Sequence, residues 1–220
     1  MDFLTQQNKI NSGQSIPYDV HINAKDRDVV VIGGGDTGSD CVGTAIRQGA
    51  KSVTQIEILP KPPVSRDDDN PWPYFGKVLK TSSSQEEGCE RRWSLATEKF
   101  IGDRQRVSEI RINSVEWVKE GHTRPEMKIV SDSTEFLKAD LVLLALGFTQ
   151  PVHEGLLNDI EMKYTERQNI LVSDKNQSHN VKVFAAGDSV LGASLVVRAI
   201  KSGRDAASNI DTYLISLDKL

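Results

Sequence analysis

The chain has 220 residues, 38% of them hydrophobic and 26% charged, with a formal net charge of -4 and a pI near 5.6. That length buries a real core in one or two domains, and the mixture is that of a globular protein rather than a disordered or membrane-spanning one. The acidic balance offers no basic face to displace counterions from nucleic-acid phosphates, and the longest apolar run, residues 141–146, is too short for a bilayer, so neither nucleic acid nor membrane is expected as a partner.

The opening Met1-Asp2-Phe3-Leu4 leads into polar residues instead of a secretory apolar stretch, which makes a cytoplasmic location the expectation. To about Ala24 the chain reads as a short helix and an extended connector, with Gly13 and Pro17 as breakers. Val29-Val30-Val31-Ile32 is too continuous for a half-exposed strand and predicts a central parallel strand covered on both faces. Gly33 to Gly35 ends it, helical spacing runs from Thr37 to Gln48, and Ser52 to Leu59 reads as the next strand, which together make one βαβ unit. The proline- and charge-rich stretch from Pro60 to Pro73 cannot form a regular element. Residues 111–119 and 127–131 look like strands joined through Gly121, and 139–146 like a buried strand, so a small β-meander leads back to the sheet. Val181 to Ala186 reads as a strand, and apolar spacing from Ala193 to Leu214 predicts a helix. No internal repeat is present.

The turn Gly33-Gly34-Gly35-Asp36-Thr37-Gly38 satisfies G-x-G-x-x-G between a predicted strand and helix, the context in which that pattern signals a dinucleotide. Gly33 permits the tight turn, Gly35 lets a pyrophosphate approach the main chain, and Gly38 lets the helix pack on the strand. The helix start offers free N–H groups and partial positive charge to phosphate. Glu57 falls about 20 residues after the last glycine, where a carboxylate accepts from the ribose 2′-OH of NADH. Lys61 and Arg66 follow in the loop, and a guanidinium there suits the 2′-phosphate of NADPH, so the residues leave both forms open. Arg91 and Arg92 are lower-ranked phosphate candidates in a charged stretch that otherwise reads as a solvated face. Cys41 and Cys89 lack C-x-x-C spacing and the four histidines are scattered, so neither a metal site nor a disulfide is signalled.

The strings VVVIGGGDTGSDCVGTAIRQGAKSV, EILPKPPVSRDDDNPWPYF, SQEEGCERRW and VFAAGDSVLGASLVVRAIKSGRDAA give the chain a specific resemblance, over nearly its whole length, to the small (β) subunit of glutamate synthase. That family belongs to the flavoproteins with two dinucleotide-binding domains. The resemblance implies a Rossmann-type α/β NAD(P)H domain, here 24–147, inserted into an FAD-binding domain whose remaining parts are 1–23 and 148–220. It further implies that the return strand ends in the turn Ala145-Leu146-Gly147, and that Gly187-Asp188 is the second FAD motif, with the aspartate on the flavin's ribityl and pyrophosphate region. The helix starting near Ser194-Leu195-Val196 would aim its dipole at the isoalloxazine and stabilise negative charge on reduced flavin. Read from the residues alone, Gly187-Asp188 is a strand-ending turn with an N-cap.

Family members also carry an FAD-binding G-x-G-x-x-G and a cysteine-rich region for iron–sulfur clusters ahead of these motifs. Only one glycine fingerprint occurs in this chain, and two isolated cysteines cannot ligate a four-iron cluster. The chain is therefore expected to be a C-terminal portion of a longer subunit, partnered by the missing FAD-domain half and by the glutamate synthase large subunit. The implied activity is hydride transfer from NADPH or NADH to FAD, and onward through iron–sulfur centres for glutamate formation. Ring stacking rather than an acid or base governs that step, so no catalytic residue is named. Alone, the chain is expected to bind nicotinamide cofactor without tightly held flavin or turnover. Two other readings stay open: an electron-input subunit for a different acceptor, and a non-catalytic dinucleotide-sensing module. The loop Asn70 to Phe75 either covers the nicotinamide or is anchored to the core by its aromatics.

Overall fold

A computed structural model describes residues 1–66, 68, 70–72, 76–103, 106–119 and 125–217. They form two compact units, Met1–Leu146 and Gly147–Leu220.

In the first unit, α1 (Asp2–Asn11) precedes β1 (Asp28–Ile32), α2 (Asp36–Arg47) and β2 (Ser52–Ile56). A one-turn helix α3 (Ser83–Glu86) leads to a short edge strand β3 (Glu90–Arg92). Strands β4 (Leu95–Asp103), β5 (Arg106–Val118), β6 (Glu126–Ile129) and β7 (Glu135–Lys138) follow, and β8 (Leu141–Leu144) returns to the first sheet. The sheet order β3-β2-β1-β8 is parallel throughout, with Val29 opposite both Val53 and Leu141. In the second, antiparallel sheet, β4 lies along one edge of β5, while β6 and β7 pair with successive stretches of it.

The continuous apolar run of β1 has the expected cause. Val29 and Val31 pack with Phe3, Val42, Ala45 and Leu143, on the side of α1 and α2. Val30 packs on the other side with Ile56, Ile110, Ile112 and Ala139, so the antiparallel sheet covers the face that helices would cover in a doubly wound fold. Residues 1–23, expected with the flavin-side part, pack inside the first unit: Phe3 is buried in its core, and Gln6 accepts from the Ile22 amide at 2.8 Å.

Asp28 opens β1 and staples three segments. Its carboxylate accepts from Ser52 at 2.7 Å and from the ammonium groups of Lys138 at 2.7 Å and Lys51 at 3.3 Å. The Lys138 ammonium, then the Ser52 hydroxyl, hold its pKa down at about 2 against the opposing effect of burial.

Several elements differ from expectation. The second strand ends at Ile56 rather than Leu59, because residues 57–59 bend away. The charged stretch at 90–92 is a strand, which a sheet edge tolerates because charges there block further pairing. The Gly121 turn, and Asp67, Asp69, Pro73, Tyr74 and Phe75 of the proline-rich loop, lie outside the described residues.

In the second unit, α4 (Leu156–Asp159) and α5 (Asp188–Leu191) are single turns, and α6 (Val196–Leu217) is the long helix. The strand expected over 181–186 is a correction. The Val183 amide turns back to the Asn180 carbonyl at 2.8 Å, leaving a turn and one isolated bridge, Gln177 to Phe184.

Candidate functional site

The glycine turn sits where β1 hands over to α2. Gly33 has φ +120°, and a Cβ there would lie 2.2 Å from the Ala145 carbonyl oxygen, so only glycine can make this turn against the end of β8. A Cβ on Gly38 would meet the Gly33 carbonyl oxygen at 2.2 Å. Gly35 differs from both. It is the N-cap of α2 with φ -79°, it is exposed, and a Cβ on it would meet nothing within 4 Å. Being glycine, the N-cap residue offers no side chain to cap the helix. The amides of Gly35, Asp36, Thr37 and Gly38 find no acceptor among the described residues, because the first α2 bond across the turn is Ser39 N–H to Gly35 O at 3.0 Å. Four unpartnered donors at the positive end of a helix, with open space at Gly35, are an arrangement suited to an anion. Cavities of about 620 Å³ between α1 and α2 and about 880 Å³ beside β8 lie elsewhere, and the glycine turn lines neither of them.

Two side chains of β2 and its end hold the turn from below. Gln55, 2% exposed, donates from Nε2 to the Gly33 carbonyl at 2.9 Å, and its Oε1 accepts from Gln85 Nε2 at 2.8 Å. Gln85 is itself fixed by a capping box with Ser82 at the start of α3, and the Ser82 hydroxyl meets that of Ser39 in α2. Glu57 Oε2 accepts the Gly34 amide at 2.6 Å, while Oε1 accepts the amides of Ile58 at 2.9 Å and Leu59 at 3.3 Å. The Glu57 carboxylate thus stands at the rim of the turn, bound to main chain. Sequence reasoning placed Glu57 here but missed Gln55 and Gln85. A buried glutamine in a strand is the available signal, because an amide at a core position demands partners.

The basic candidates separate. Arg66 donates to the Asn70 carbonyl within its own loop at 3.1 Å. Lys61 and Arg91 each lie 5.1 Å from the centroid of the Trp93 ring, as cation–π partners. Arg92 is held by Glu135 through two bonds of 2.7 and 2.5 Å, which raises the arginine's pKa and lowers that of the glutamate. Trp72 is 82% exposed, so this aromatic of the proline-rich loop does not anchor the loop to the core.

In the second unit, Gly187 takes φ +68° and its amide donates to Ser202 Oγ of α6 at 3.0 Å. Asp188 starts α5 and is exposed. Ser194, Leu195 and Val196 are exposed at the opening of α6, where the amides of Val196 and Val197 find no acceptor among the described residues. Gly147 has φ +83° and open space around it. Among the described residues no group of three or more His, Cys, Asp or Glu could hold a metal ion. Burial raises both thiol pKa values, that of Cys41 to about 11. No helix among the described residues is long and apolar enough to cross a membrane.

A parallel sheet with a glycine turn at the switch from β1 to α2, backed by an antiparallel sheet, defines a dinucleotide-binding unit of the oxidoreductase type. The model of the family described as pyridine nucleotide-disulphide oxidoreductase matches residues 3–203, and the chain belongs to that family. It is 43% identical, over its full length, to the glutamate synthase [NADPH] small chain of Mycobacterium tuberculosis, and covers 45% of that protein. It is 40% identical over 96% of its length to the glutamate synthase [NADH] of Schizosaccharomyces pombe, of which it covers 10%. The chain thus spans about half the length of the curated small chain it matches. Among solved structures, FprA of Mycobacterium tuberculosis in complex with NADPH shares the fold, with a TM-score of 0.63 at 14% identity over 90% of this chain and 54% of that one.

Proposed function

We propose that the chain is the NAD(P)H-binding portion of a glutamate synthase small subunit, with the dinucleotide lying across Gly33 to Gly38. The observation that carries this is the row of unpartnered amides at Gly35, Asp36, Thr37 and Gly38, facing open space at Gly35. The pyrophosphate takes those donors, and the adenosine ribose lies toward Glu57, whose anchored carboxylate accepts from a 2′-OH. Arg66 is the candidate for a 2′-phosphate. The names of the relatives, which include both NADPH and NADH forms, support either nucleotide.

The second unit contributes the flavin side of this reading. Gly187-Asp188, the opening of α6 at Ser194, Leu195 and Val196, and the turn at Gly147 are the residues that would hold FAD. The unsatisfied amides at Val196 and Val197 fit the electron-rich edge of a flavin ring. FAD, when bound, would accept the hydride, and the electrons would pass through iron–sulfur centres of the missing N-terminal region to a partner large subunit for glutamate formation. Exposed apolar side chains at Val152, Leu156, Val196 and Val197 support a further flavin-domain segment covering this unit. The proposed division is a nucleotide domain over 24–147 with the rest on the flavin side, although residues 1–23 pack with the first unit.

Gly35→Val tests the nucleotide site without attacking the fold, because the backbone at Gly35 accommodates an L-residue and nothing lies within 4 Å of an added Cβ. The variant should melt with the parent and bind NADH and NADPH at least tenfold more weakly by calorimetric titration. Unchanged affinity in a folded variant would remove the turn from the site.

A further inference from the structure

We infer that Gln55 is a positioning residue for the dinucleotide turn: it holds the Gly33–Gly34 peptide so that the turn keeps its amides presented to the phosphate. The inference rests on the reading of that turn as the nucleotide site and adds to it a residue that touches no cofactor.

In a trans peptide the C=O and the N–H point in opposite directions, so fixing one end fixes the other. The Gly33 carbonyl is seized by Gln55 Nε2 at 2.9 Å, and the N–H of the same peptide plane by Glu57 Oε2 at 2.6 Å. The two clamps come from Gln55 within β2 and from Glu57 just past its end. A glycine peptide flanked by φ +120° has little of its own to prevent rotation. A flip would turn the carbonyl's negative end toward the Glu57 carboxylate, and the turn would no longer be held in the shape that presents the Gly35 to Gly38 amides in one row.

Gln55 can act this way because it is itself immobile. It is 2% exposed, its Oε1 is taken by Gln85, and the capping box with Ser82 locks Gln85 in turn. Gly38 has a second purpose in the same arrangement. A Cβ there would lie 2.2 Å from the Gly33 oxygen and 2.8 Å from Gln55 Nε2, so the third glycine leaves room for this hydrogen bond as well as for helix–strand packing.

The test uses Gln55→Met, which keeps length and volume and deletes the donor. NAD+ and adenosine, which lacks phosphate, are titrated against the parent chain and the variant, with the dissociation constants read by calorimetry and NMR and the fold checked by thermal melting. NAD+ affinity should fall tenfold or more while adenosine affinity changes less than twofold. NAD+ affinity within twofold of the parent, or an equal loss for both ligands, overturns the inference. If Gln55→Met does not fold, Gln85→Met releases the far end of the same amide; a threefold or larger loss confined to NAD+ supports the inference, and no loss or an equal loss for both overturns it. A parent chain that binds NAD+, and loses it with Gly35→Val, keeps the nucleotide reading intact whatever Gln55 does. A parent that binds no dinucleotide sinks that reading first.

Discussion

Glu57 is bound by three main-chain amides, from Gly34, Ile58 and Leu59, so it serves both the turn and the rim of the hollow. Removing it as Glu57→Ala should weaken NADH by about tenfold, the worth of a hydrogen bond to a charged group, and weaken NADPH less, because a 2′-phosphate gains by losing the carboxylate. Parallel titrations of the two nucleotides read the difference, and equal losses would place the ribose elsewhere. Asp28 makes a different kind of prediction. Its folded pKa of about 2 lies below the ordinary 3.8, so its stabilisation is present above about pH 4 and is lost as pH falls toward 2. Asp28→Asn should therefore cost about 1–2 kcal/mol in urea at pH 7, discounted because both lysine partners are more than half exposed, and the gap to the parent should narrow steadily below pH 4. A gap constant from pH 7 to pH 3 would refute the linkage. The glycines and Glu57 were legible in the sequence because their spacing falls in the context of a predicted strand, helix and second strand. Gln55 was not, since nothing local shows that its amide will meet the Gly33 carbonyl from 22 residues away.

At the scale of elements, α3 is a four-residue helix whose importance is its cap rather than its length. Ser82→Ala removes the acceptor for the Gln85 amide and should lower stability by about 1 kcal/mol, read as a lower urea midpoint with an unchanged slope. A larger loss would show that the contact between the Ser82 and Ser39 hydroxyls carries more than the cap. The βαβ unit was readable because β1 is a β-branched run and α2 begins and ends at glycine-rich turns. Strand β4 was not, since its pairing with β5 shifts register between Thr97 and Lys99 and again between Ile101 and Gly102, which breaks the period-two pattern. Strand β3 is hidden by its charge. The expected strand at 181–186 failed for the opposite reason: its apolar residues suit a sheet, but its amides close turns with residues just before it.

The two units are unequal in what they bury. The first has an apolar cluster on each face of its parallel sheet, whereas in the second the buried apolar side chains among the described residues are Met162, Ile170 and Ala206. Local stability follows buried apolar contact, so hydrogen exchange in α6 should run well ahead of that in β1 and β2, and dyes that seek apolar surface should bind the second unit. Equal protection across both units would contradict this. The resemblance that implies two dinucleotide-binding parts came from motifs, and motif spacing carries no information on how much of each part's surface is covered. The pairing of β1 with β8 has a cost in time. Val29 and Leu141 are neighbours in the sheet, yet the whole antiparallel insertion must emerge from the ribosome between them. Until it does, one side of β1, with its three buried valines, stands without a hydrogen-bonding neighbour, which is the interval in which a nascent chain is most exposed to self-association and most in need of a chaperone.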